Sequence, residues 1–304
     1  MSDEAPGARA ALAFTCVLVV WGTTYLAVAW MLADLPVFTS LGARFFFAAA
    51  VMYALARRQS PRPLEGIVTS RAMLSGVLMG GCGTGFTGVA MLGMASGVAA
   101  LLNATIPICV TLLAWAFFER RRPVIVTAVG LLTGFCGVVL VVGGEAWSGP
   151  GDAAYVAAMA FAVVAWSIGT LIQRDLVSRD RLQSLCCVQF AAAGVFLCLL
   201  GLFAGEWREI DLAGVTPRGW FALAYLTLVG SVLTQSAYLW LLARYPAEKV
   251  TSYAIINPAI AMLLGAAFLG ERITSAGLAG AALVLGGVSL VLFERSLMAL
   301  VRRN

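Results

Sequence analysis

Residues 97–118 read GVAALLNATIPICVTLLAWAFF, 22 residues without one Asp, Glu, Lys or Arg, and the next four are Glu119, Arg120, Arg121 and Arg122. As a helix rising about 1.5 Å per residue, such a run crosses a hydrocarbon layer of roughly 30 Å, and the charges fall where water begins. Nine further stretches pass the same ruler: 11–32, 37–56, 72–94, 124–144, 153–172, 182–204, 219–242, 250–269 and 274–293. Little of the 304-residue chain remains for an extramembrane domain. The first stretch exceeds the roughly 7 to 15 apolar residues of a signal-peptide core and follows Asp3 and Glu4 with only Arg9, so it reads as a retained helix.

The composition agrees. Hydrophobic residues make up 61% and charged residues 12%, half the roughly 25% of a globular chain, which excludes a soluble fold. The mean hydropathy is +0.94. Net charge is +5, yet in so apolar a chain the basic surplus belongs to short cytoplasmic loops, and nucleic acid is not an expected partner. Sixteen basic residues fall on one side of the ten-span arrangement and three (Arg208, Arg218, Arg272) on the other, which places both termini in the cytoplasm. The Arg-rich, Ala/Gly/Val-rich composition suggests a bacterial source. There is no histidine, so the commonest metal ligand and every His-based catalytic dyad are missing. Neither an enzyme, a metal site nor a cofactor is expected. The seven cysteines all lie in apolar runs without a Cys-x-x-Cys pair and read as small buried hydrophobes.

The halves echo each other. Trp21 and Trp166, Thr39 and Ser184, and Arg44 and Gln189 each stand 145 residues apart; Pro107 and Pro258 lie mid-span in the fourth and ninth stretches, which close on Glu119-Arg120 and Glu271-Arg272. Gly130 and Gly137 repeat as Gly280 and Gly287. Because each half holds five spans, an odd number, the second half enters the membrane inverted relative to the first. The expected fold is therefore an all-α polytopic membrane protein of ten transmembrane helices, with residues 11–144 and 153–293 as two inverted five-helix repeats.

Three segments carry a family resemblance: Trp21-Gly22-Thr23-Thr24-Tyr25-Leu26-Ala27-Val28, the block from Pro107 to Glu119, and Thr251-Ser252-Tyr253-Ala254-Ile255-Ile256-Asn257-Pro258. Together they resemble the EamA-type branch of the drug/metabolite transporter superfamily, the YedA-like and YddG-like exporters in particular, over nearly the whole chain. The resemblance implies two EamA-like repeats around a central cavity lined mainly by helices one to four and six to nine. It also implies export of amino acids, aromatic ones as a candidate subset, or related metabolites from a bacterial inner membrane. Thr24 stands where many relatives carry Asn, so that amide's role is not carried over.

Candidate cavity residues follow from what lipid penalises. Arg44 is the one formal charge inside a span, either a site for a substrate carboxylate or a structural arginine bonded to helix-end carbonyls. Pro107 and Pro258 each remove a backbone donor and free the carbonyls of Asn103 and Ala254, so both are candidate bends, with Asn103 and Asn257 adding amides beside them. Trp21 and Trp166 lie too deep for an interfacial belt and are either buried packing or cavity wall; Trp30, Trp115, Trp207, Trp220 and Trp240 sit near span ends. Tyr25, Gln235, Tyr238 and Tyr253 supply hydrogen-bonding groups of which some must face the interior. Gly80, Gly81, Gly83 and Gly85 in span three allow close helix approach or bending. All 15 acidic residues fall in loops or at span ends, which disfavours a proton-coupled organic-cation antiporter unless Glu119 or Glu271 dips inward. The remaining partners are a small-molecule substrate and the bilayer. The sequence leaves the oligomeric state open, with a monomer acceptable.

Overall fold

Lipid offers no hydrogen bonds to a backbone, so a spanning chain satisfies its peptide groups in helices or in a closed barrel, and continuous apolar runs of about 20 residues have the length of helices. The computed structural model describes residues 7–119, 124–145, 152–178, 181–242, 244–245, 250 and 253–294, and among these the regular structure is entirely helical. The basic clusters at Arg120, Arg121 and Arg122, Arg179, Lys249, both chain ends, Trp147, and the motif residues Thr251 and Ser252 lie outside the described residues. Ten long helical runs are present among the described residues, with a short 3-10 turn at Glu206–Arg208. They are α1 (Ala8–Leu32), α2 (Val37–Gln59), α3 (Ser70–Ala90), α4 (Ser96–Asn103 continued by Ile106–Leu113 and Ala114–Glu119) and α5 (Ile125–Glu145). The second five are α6 (Asp152–Arg174), α7 (Leu182–Ala204), α8 (Pro217–Tyr225, Leu226–Leu233, Thr234–Leu242), α9 (Tyr253–Leu269) and α10 (Ser275–Leu292). Eight are long and apolar enough to cross a membrane, and the apolar stretches Ile125–Val141 and Tyr253–Leu269 are shorter.

Local chemistry sets the helix ends. Thr69, Thr216 and Thr274 cap α3, α8 and α10 by accepting from the N–H of Ala72, Gly219 and Gly277. Pro217 opens α8 at a position where its missing N–H costs nothing. Residues 77–84 of α3 and 226–233 of α8 are wound in wide π-helical turns, eight residues each, and the end of α4, Ala114–Glu119, is wound the same way.

Packing joins the halves. Helix α2 lies along α7 and α5 along α10; α1 packs on α8 and α9, while α6 packs on α3 and α4. Met31, Leu41, Phe45, Leu197 and Leu226 fill one core between α1, α2, α7 and α8, and Leu101, Ile108, Val141, Val284 and Val288 fill another between α4, α5 and α10. The outward faces are apolar too: Phe47, Leu132, Leu263 and Phe203 are 61–83% exposed, as lipid-facing side chains can be without penalty. The same freedom corrects the reading of the cysteines. Cys82, Cys186 and Cys187 are buried, but Cys136 is exposed on α5 beside Leu132 and Phe135, because facing lipid costs a thiol nothing comparable to facing water.

Between α5 and α10 the backbones themselves touch. A Cβ on Gly287 would lie 2.5 Å from the Gly130 carbonyl oxygen and 2.5 Å from Gly134 N, and one on Gly137 would lie 2.6 Å from Val284 N. Small residues gain this contact by dispersion, since lipid gives no hydrophobic force between helices. Gly287→Ala should therefore lower stability by about 1–3 kcal/mol through overpacking, while Gly286→Ala, where nothing lies within 4 Å, should be neutral or slightly stabilising. Apparent thermal midpoints of the two variants in detergent check this; equal midpoints would mean that the seam is not close-packed.

Candidate functional site

A cavity of about 830 Å³ lies inside the bundle. Its wall includes Trp21, Tyr25, Arg44, Asn103, Trp166, Tyr238, Tyr253 and Asn257, together with Gly83, Pro107 and Pro258. Gln235 does not line it: the wide turns before it set a register that an even 3.6-residue helix does not predict. Gly80, Gly81 and Gly85 also lie off the wall. A Cβ on them would meet Ala193, Phe196 and Leu197 of α7, each closer than 3.0 Å, whereas Gly83 makes room for the Trp166 ring of α6.

Arg44 is buried at 8% exposure on the wall. Its Nε donates to Ser231 Oγ at 2.9 Å, and its guanidinium carbon lies 5.2 Å from the centre of the Phe45 ring. Among the described residues no carboxylate forms an ion pair with it. Ser231 in turn donates to Leu226 O five residues back, a bond that the π-helical turn makes possible. One residue earlier, the Gly230 carbonyl accepts from Trp21 Nε1 at 3.3 Å. The cation and the indole therefore converge on two adjacent residues of α8. In the opposite half Gln189 of α7 donates to Ser75 of α3 at 2.8 Å, the same crossing from a polar residue on one long helix to a serine on its neighbour.

Three aromatic rings stand beside this point. Trp21 lies 4.6 Å from Tyr253 and 5.1 Å from Tyr238, and the two tyrosines are 5.9 Å apart, all in edge or tilted geometries. Asn103 Nδ2 donates to Tyr25 OH at 3.1 Å and to Thr87 Oγ1 at 3.3 Å, tying α1, α3 and α4. The Asn257 amide nitrogen, in its satisfied orientation, reaches Leu18 O at 2.8 Å and Tyr253 O at 3.2 Å.

The two mid-span prolines differ. Helix α4 is interrupted at Ala104 and Thr105, and Pro107 sits in the first turn of the segment that follows, whereas Pro258 lies inside an unbroken α9. Glu271 is engaged at a helix end by the backbone of Ser96 and Gly97 and does not line the cavity; the Glu119 side chain lies outside the described residues. Of the tryptophans near span ends, Trp115 reaches the cavity, Trp207 and Trp220 are exposed, and Trp30 and Trp240 lie under Arg218 and Arg244.

Further polar residues on the wall, Thr84, Thr87, Thr127, Gln173 and Glu294 among them, are not marked as cavity residues by the sequence. Gln173 is 5% exposed, and its amide nitrogen has no partner among the described residues. A polar side chain in the last turn of an apolar span was its only signal.

Because Ser231 is the acceptor for Arg44 Nε, Ser231→Ala should cost about 1–3 kcal/mol by leaving a buried charged donor unsatisfied. The apparent thermal midpoint reads this out. An unchanged midpoint would mean that the guanidinium is solvated by water in the cavity instead.

The profile of the EamA-like transporter family matches residues 8–143 and again 153–293. The chain is 28% identical to a protein of Escherichia coli (strain K12) described as the uncharacterized inner membrane transporter YedA, over 84% of this chain and 81% of that one. It is 25% identical to the uncharacterized transporter YvbV of Bacillus subtilis (strain 168), covering 95% and 93% of the two chains. It is 23% identical to a probable amino-acid metabolite efflux pump of Escherichia coli (strain K12), covering 91% and 92%. A crystal structure of a protein with 18% identity superposes with a TM-score of 0.68 over 95% of this chain and 98% of that one, a likeness of fold.

Proposed function

The chain belongs to the EamA-like transporter family, and from that premise we propose that it exports small amphipathic metabolites, amino acids first among them, across a bacterial inner membrane. It works by alternating access of two inverted five-helix repeats, residues 11–144 and 153–293, with both termini in the cytoplasm, and moves its substrate without a coupled ion.

The observation that carries the substrate class is Arg44, a buried cation on the cavity wall that no carboxylate of the described protein neutralises. A guanidinium out of water costs several kcal/mol unless something pairs with it, and its planar fork matches a carboxylate. The Trp21, Tyr238 and Tyr253 rings beside it offer faces for an apolar side chain or an ammonium group. The cavity, about 830 Å³, falls in the roughly 300–1,000 Å³ range of small-molecule sites. The name of one relative, a probable amino-acid metabolite efflux pump, points the same way, and that of another points to the inner membrane.

Alternating access is supported by the exchange of packing between halves. The contacts of α1 with α8 and α9 reappear as those of α6 with α3 and α4, and α2–α7 and α5–α10 pair each helix with its own counterpart. The crossing from Arg44 to Ser231 and that from Gln189 to Ser75 have the same relation. Two such halves can trade conformations about an axis in the membrane plane.

Counterflow of labelled amino acids into proteoliposomes, with drugs and sugars alongside, tests the assignment. Uptake of a cationic dye under a pH gradient, with no amino acid moving, would overturn it in favour of a cation antiporter. Arg44→Gln should slow counterflow of carboxylate substrates at least about tenfold, the worth of one charge-assisted contact. Trp21→Ala should change the apparent KM or rate of transport while leaving membrane insertion intact, as read by quantitative blotting; unchanged kinetics would remove the indole from the site.

A further inference from the structure

Helices α7 and α9 end alike. Gly205 (φ 79°) and Gly270 (φ 69°) take the left-handed conformation that stops a helix, and the next residue in each case is a glutamate. Glu206 accepts from Phe38 N at 3.1 Å, Thr39 N at 2.7 Å and Thr39 Oγ1 at 2.8 Å, in the first turn of α2. Glu271 accepts from Ser96 N at 2.6 Å and Gly97 N at 3.3 Å, in the first turn of α4. Each carboxylate lies over a glycine that makes its space. A Cβ on Gly201 would stand 2.5 Å from Thr39 Oγ1 and 3.0 Å from Glu206 Oε2, and one on Gly265 would collide with Glu271 Oε2. Asp34 adds a third crossing, accepting from Thr216 N at 3.1 Å and Thr216 Oγ1 at 2.5 Å where α8 begins.

All three contacts join one half of the chain to the other, and all lie at the same end of the bundle. The cavity stops short of that end: residues 33–36, 92–95, 205–216 and 270–274 contribute nothing to its wall. At the opposite end Thr127, Arg174, Val177 and Glu294 do. The helices gripped are those that carry Arg44 and Asn103. A carboxylate on free N–H groups at a helix start is held by charge-assisted hydrogen bonds and by the helix dipole.

We infer that Glu206 and Glu271 are positioning residues of the transport cycle, latches that hold α2 and α4 against the second half and keep the far end of the cavity shut until the bundle rocks. The inference rests on alternating access and is independent of which substrate is carried.

The test is two-sided labelling of the full-length protein. Thr24→Cys, on the cavity wall, is introduced with the seven native cysteines replaced by alanine, and a bulky membrane-impermeant maleimide is added from one face or the other of oriented vesicles. Glu206→Gln and Glu271→Gln should each raise the ratio of far-face to mouth-face labelling about tenfold, the weight of a hydrogen bond to a charged group. Gly265→Ala, which keeps the charge but displaces the Glu271 carboxylate, should do the same. An unchanged ratio in all three variants, or two rates that rise or fall together, would make the carboxylates ordinary helix caps and overturn the proposal. Far-face labelling that is absent from Thr24→Cys itself while transport proceeds would instead count against alternating access.

Discussion

A polar group inside a bilayer must find its partner within the protein, and most of this structure is an answer to that requirement. The peptide groups satisfy themselves in helices. Hydroxyls buried in the spans bond back to their own helix, as Ser167 does to Val163 O and Thr227 to Leu223 O, both at 2.7 Å. Several groups that a single helix cannot satisfy are met across the halves: Arg44 with Ser231, Gln189 with Ser75, Glu206 and Glu271 with the starts of α2 and α4. Lipid solvates apolar faces as well as the core does, so packing area alone would leave the helices free to rearrange. These few polar crossings and the glycine seams are what select one arrangement.

The cavity follows from the same constraint. The break of α4 at Ala104 and the wide turn of α3 at Gly83 and Thr84 border this interior space, where polar groups that lipid would not tolerate can stand, whereas the wide turn of α8 lines none of it and receives side chains from α1 and α2 instead. The carbonyl of Gly230 and the hydroxyl of Ser231 stand at the widened stretch of α8, and the Trp21 indole and the Arg44 guanidinium meet there. A charge, an aromatic cluster and an amide network on one wall form a surface suited to an amphipathic ligand.

Much of this was legible beforehand because a bilayer imposes a length. The stretch 182–204 coincides with α7 as Leu182–Ala204, and the other apolar runs fall within a few residues of the helices found. Arg44, Trp21 and Tyr253 could be singled out because charge and deep aromatics are rare in spans. Other features carried no such mark. Wide turns over residues 77–84 and 226–233 depend on which partner helix receives each carbonyl and hydroxyl, so the placing of Gln235 off the wall could not be read from its spacing. Pro107 and Pro258 look equivalent in sequence, yet only the first adjoins an interruption, because each helix meets different neighbours. Glu206 reads as a loop acid and Glu271 as the close of a span until their helix-start partners, some 170 residues away, are seen.

By itself the sequence determined that this chain lives in a membrane, how many apolar runs it has, where they begin and end, and which side chains lipid could not accept. Those properties depend on each residue's own transfer free energy and on the length of a helical turn, both local. The tertiary structure decided which of the costly groups meet, which face of each helix borders the cavity, and which end of it is held shut. These depend on contacts between residues far apart in the chain, and no local periodicity encodes the partner.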